Sequence, residues 1–99
     1  MSIALEISPE VEKIVSEVVG IEMKRFGFKS AHVEAGEDHD GDPVLFIDVR
    51  YRRIGDPINP RVVAGLLTKL RDKLWEAGET RFPHLRHHFP ESRRVVGYP

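Results

Sequence analysis

The sequence predicts one α+β domain in which two helices pack on an antiparallel β-hairpin, in the order helix, strand, strand, helix. Three observations predict it. Apolar residues recur every three to four positions before Gly27, every second position between residues 29 and 52, and every three to four positions again after Asn59. Glycine, proline and asparagine stand where the period changes. The chain has 99 residues, enough for one hydrophobic core when domains usually run to about 100–150 residues.

The first helix is expected over residues 9 to 26. Ser8 can cap it, Pro9 occupies the first helical position where a missing amide costs nothing, and Glu10 places a carboxylate in the first turn. Val11, Ile14, Val15, Val18, Met23 and Phe26 form its apolar stripe, which Val19 and Ile21 widen. Gly27 ends it, because glycine tolerates the left-handed conformation of a C-terminal cap.

The hairpin spans residues 29 to 52. In its first strand Ala31, Val33 and Ala35 alternate with Ser30, His32 and Glu34. Residues 36 to 43 are too polar and too rich in turn formers to be anything but a loop. In the second strand Leu45, Ile47, Val49 and Tyr51 point one way, and Val44, Phe46, Asp48 and Arg50 the other. If the helices cover the first set, Val44 and Phe46 lack an evident cover from the same chain. They are the candidate interface for self-association. Asp48 interrupts an apolar strand and is expected to pair with Arg50 on its own strand or with Lys29 across the hairpin.

The second helix is expected over residues 60 to 77, capped by Asn59 and started by Pro60. Its face is Val62, Val63, Leu66, Leu67, Leu70, Leu74 and Trp75, and Gly78 stops it. Gly65 inside the helix costs about 1 kcal/mol relative to alanine. Residues 79 to 99 are expected to form an irregular basic tail, packed on the core or on a partner subunit. Within it Phe82, Leu85 and Phe89 are spaced to anchor a short helical turn, and Arg94 to Tyr98 to add a short third strand.

Composition narrows function mainly by exclusion. With 40% hydrophobic and 31% charged residues the chain has the mixture of a folded domain rather than a disordered one. It has no cysteine, so disulfides, thiolate metal sites and cysteine nucleophiles are excluded, and a cytoplasmic location is the expectation. The longest apolar run is Val44 to Ile47, and the first twenty residues hold a proline and four glutamates, which fits neither a membrane span nor a signal peptide. Charge is uneven. Residues 1 to 42 hold four basic and ten acidic residues, residues 43 to 99 eleven basic and six acidic, so the chain is expected to be dipolar.

Three clusters are candidates for chemistry. Asp38, Asp40 and Asp42 open like a calcium loop, but Pro43 stands where glycine is needed, Val49 where the bidentate glutamate is needed, and strands replace the flanking helices. A solvated hairpin tip is the expectation. His84, His87 and His88 form the densest histidine group, and were the segment helical, His84 and His88 would lie one turn apart on one face, a spacing used for zinc. All three are candidates for metal binding or pH sensing, although the His84 and His88 pair alone is an incomplete metal site. Arg50, Arg52, Arg53, Arg86, Arg93 and Arg94 are candidate phosphate or nucleic-acid contacts within a basic stretch over residues 50 to 94.

No phosphate-cradling glycine loop, dinucleotide fingerprint or nucleophile elbow is present, and no cofactor is expected. By elimination the sequence favours a non-enzymatic interaction or regulatory module acting through protein–protein contact as a homodimer. The alternatives are an accessory protein that binds nucleic-acid backbone, and a small enzyme or metal-binding protein with a site between subunits. The hairpin supplies the physical motive, since two strands alone are marginal and leave both edges open.

Overall fold

The computed structural model describes residues 6–90. Ser8 caps helix α1 (Pro9–Met23), its side-chain oxygen accepting the Val11 amide at 3.2 Å. A single 3-10 turn over Lys24–Phe26 follows, and Gly27 leaves it with φ of 86°, the left-handed conformation that frees the chain to reverse into the sheet. The Gly27 carbonyl then accepts the Arg52 amide at 2.8 Å, which ties this corner to the end of the hairpin.

Strands β1 (Phe28–Glu37) and β2 (Pro43–Tyr51) pair antiparallel, with Val33 opposite Ile47 and His32 opposite Asp48. Helix α2 (Pro60–Glu76) starts at Asn59, whose side-chain oxygen accepts the Arg61 amide at 2.9 Å. A third strand, β3 (Phe82–His88), then pairs parallel to β2, so the sheet order is β1-β2-β3. Helix α2 is thus the crossover of a βαβ unit, the connection that parallel neighbours require.

The helices cover one face of the sheet. Val11, Val15, Val19 and Met23 of α1, Leu66, Leu70 and Leu74 of α2, and Leu45, Ile47, Val49 and Tyr51 of β2 form one buried cluster. Ile58, in the loop before α2, joins it. As the middle strand, β2 carries the longest apolar run because its backbone is paired on both sides and its inner row lies under both helices. Among the described residues, no helix is long and apolar enough to cross a membrane.

The α-β-β-α order stands, and three finer expectations are corrected. Residues 82–88 are a strand, not a helical turn in an irregular tail. The spacing of Phe82, Leu85 and Phe89 mimics a helical stripe, but the free edge of β2 offered backbone partners that a helical turn would forgo. Trp75 does not belong to the buried face of α2; it is 65% exposed. Asp48 pairs with neither Arg50 nor Lys29 but with groups on β3. The short strand expected over Arg94 to Tyr98 lies outside the described residues, as do Arg93 and Arg94 themselves.

Candidate functional site

The sheet face away from the helices is built from alternate residues of all three strands. Asp48 is its centre. It accepts two hydrogen bonds from Arg86, from Nε at 2.9 Å and Nη2 at 2.8 Å, and a third contact from His88 Nε2 at 2.7 Å. The register explains this: Asp48 stands opposite Arg86, with His88 two residues on along the same face of the parallel neighbour. The Arg86 guanidinium, helped by His88, holds the Asp48 carboxyl below its ordinary value of 3.8 against the opposing effect of burial.

Phe46 lies beside this bridge. The Arg86 guanidinium carbon sits 4.7 Å from the centre of its ring, and the His84 ring is 5.7 Å away. On its other flank the ring covers Gly36, so closely that a Cβ there would lie 2.7 Å from Phe46 Cε2. Val44 is buried, though outside the main core cluster, and Phe46 is half-buried. Part of the cover that the hairpin alone could not give these two residues therefore comes from β3 and from a glycine on β1.

The three histidines do not converge. In a strand, positions four apart are separated by about 13 Å, so His84 and His88 cannot share one metal ion, and His87 belongs to the opposite face. Its Nδ1 lies 2.7 Å from the Tyr51 hydroxyl, and Tyr51 stacks on Phe89 at 4.4 Å between ring centres. Burial, with a smaller contribution from His88, pushes the His87 pKa below its ordinary 6.5, so the ring is neutral near pH 7. Its Nε2 is buried without a hydrogen-bond partner among the described residues. Nothing in the sequence marked this atom, because its isolation follows from the packing of three separate elements.

His87 also lines a groove of about 300 Å³ with Val63, Ala64 and Leu67 of α2 and Pro83 and Leu85 of β3. Phe82 and His84, from the outer face of the strand, line it as well. Residues of both faces meet there because the groove runs along the unpaired edge of β3. A second concavity, between α1 and α2, is bordered by Val18, Ile21, Glu22, Lys69, Asp72 and Lys73. Its charges are already matched, with Lys69 on Glu22 and Lys73 3.8 Å from Glu76.

Of the arginines proposed for phosphate contact, Arg50 and Arg86 share the outer face, Arg86 opposite Asp48 and Arg50 opposite His88. Arg50 is exposed at the end of the outer row of β2, Arg52 and Arg53 follow it in the next segment, and Arg86 is bound to Asp48. Arg81, whose bridge to Glu79 has Nη2 to Oε1 at 2.7 Å, also donates to the Glu6 carbonyl at 2.9 Å, which ties the start of β3 to the segment before α1. At the hairpin tip Asp38 Oδ1 accepts the amides of Asp40 and Asp42 at 2.9 and 3.0 Å. The three loop carboxylates bring one oxygen each to within 4.8 Å of one another, and the two amide bonds to Asp38 are those of an aspartate turn.

Comparison with protein-family models, with curated proteins and with solved structures finds no match for this chain.

Proposed function

We propose that the chain is a small non-enzymatic interaction module that acts through protein–protein contact and assembles as a homodimer. The observation that carries this reading is the edge of β3: among the described residues no strand pairs with it. Unpaired edges are templates for pairing with another chain. The polar groups of the outer face support the same reading, because Asp48, Arg86 and His88 satisfy one another and leave little for acid–base chemistry.

The phosphate-contact alternative loses Arg86 to Asp48. Titration of a labelled oligonucleotide at about 0.1 M salt, where backbone contacts still register, is expected to show no binding. Sedimentation equilibrium over micromolar concentrations tests the homodimer. Twice the chain mass of 11.3 kDa is expected, and a constant 11.3 kDa overturns the reading.

A further inference from the structure

We infer that the groove along β3 is where a second copy of this chain docks, its own β3 pairing antiparallel with this one about a twofold axis perpendicular to the sheet. The inference rests on the homodimer proposed above and says which surface makes it. Two three-stranded sheets then join into one of six strands. Such an axis keeps both α2 helices on the same side, flanking the seam.

Three observations converge on this surface. The edge of β3 is open among the described residues, and Pro83 removes a backbone donor only near its start. By contrast, β1, the other edge strand, has a register shift between Phe28 and Ser30 and carries Lys29, Glu34 and Glu37, features that discourage edge pairing.

Among the described residues the groove carries no formal charge on its lining: no aspartate, glutamate, lysine or arginine of theirs borders it, in a chain with 31% charged residues. A twofold axis sets every group against the same surface of its copy, so a groove of one sign would repel itself and an uncharged one does not. Arg86, the cation on this strand, is already neutralised by Asp48.

The lining is apolar where a copy would bring apolar groups. Pairing about a twofold preserves the alternation of faces, so the inner row Pro83, Leu85 and His87 meets the same row of the copy, beneath Val63, Ala64 and Leu67 of both α2 helices.

The test uses the full chain and two substitutions, Ala64→Arg and Phe46→Asp. Ala64 is exposed on α2, so arginine there is compatible with the fold, which circular dichroism verifies. In sedimentation equilibrium the parent is expected to dimerise and Ala64→Arg to weaken association at least tenfold. In hydrogen exchange, amides of residues 84–88 are expected to gain protection as concentration rises, while those of 28–37 do not. A parent that dimerises with Ala64→Arg unchanged and Phe46→Asp monomeric overturns the groove but leaves the homodimer standing. A parent that stays monomeric overturns both. Protection of 84–88 that does not vary with concentration also defeats the inference, since the occupant would then be a segment of the same chain.

Discussion

Arg86 clasps Asp48 side-on, with Nε and Nη2 each bound to a different carboxylate oxygen at 2.9 and 2.8 Å, while its guanidinium lies 4.7 Å from the centre of the Phe46 ring. One side chain thereby joins β3 to the charge and to the aromatic ring of β2. The arrangement uses what arginine has and lysine lacks, a flat fork that can bridge a carboxylate and stack at the same time.

Replacing Asp48 with alanine should lower stability by about 1 kcal/mol, a modest figure because its partners are half-exposed and screened by water. The pH dependence follows from the depressed pKa. The unfolded carboxyl titrates near 3.8 and the folded one below it, so the contribution is complete above that value and is lost as pH falls through the folded pKa. Urea denaturation at pH 7 and pH 3 should show a smaller loss on acidification for Asp48→Ala than for the parent.

His87 predicts a separate transition nearer neutrality. Its folded pKa lies below 6.5 because burial disfavours the imidazolium. Above 6.5 both states are neutral and the residue adds no pH dependence. As pH falls below that value the unfolded chain takes up the proton first, so stability declines until the folded pKa is passed. Denaturation midpoints between pH 5 and 8 should fall on the acid side for the parent, and His87→Gln should flatten that decline.

Two glycines should respond to alanine with opposite signs. At Gly36 the new Cβ would lie 2.7 Å from the Phe46 ring, and displacing that ring from Arg86 should cost about 1–2 kcal/mol. At Gly65 nothing lies within 4 Å of the new Cβ, so Gly65→Ala should stabilise α2 by about 0.5–1 kcal/mol through helix propensity alone. Thermal melts of the two variants are the measurement, and equal signs would mean that one of these environments is wrong.

The core face is tested by Leu66→Ala, Leu70→Ala and Ile47→Ala. All three residues are fully buried, and each substitution should cost about 2–4 kcal/mol in chemical denaturation. Trp75→Ala, on the exposed side of the same helix, should change stability by less than about 0.5 kcal/mol.

The sequence by itself determined the elements whose causes are local. Ser8 and Asn59 mark helix starts because a cap acts within three residues; Gly27 marks a stop because only its own φ is at issue; and the alternation of residues 44–51 assigns each side chain to a face. Tertiary structure alone decided what depends on partners distant in the chain. Strand β3 exists because β2 had an edge to offer, and the mixed pattern of Phe82, Pro83, Leu85 and His87 carries too little contrast to announce a strand. Asp48 found its partners 38 and 40 residues away, beyond the reach of a rule about neighbours. The separation of His84 and His88 from His87 onto opposite faces, and the isolation of the His87 nitrogen, followed from the same pairing. Periodicity reports which side of an element is apolar; which elements meet is fixed only when the whole chain competes for the same backbone hydrogen bonds and the same buried surface.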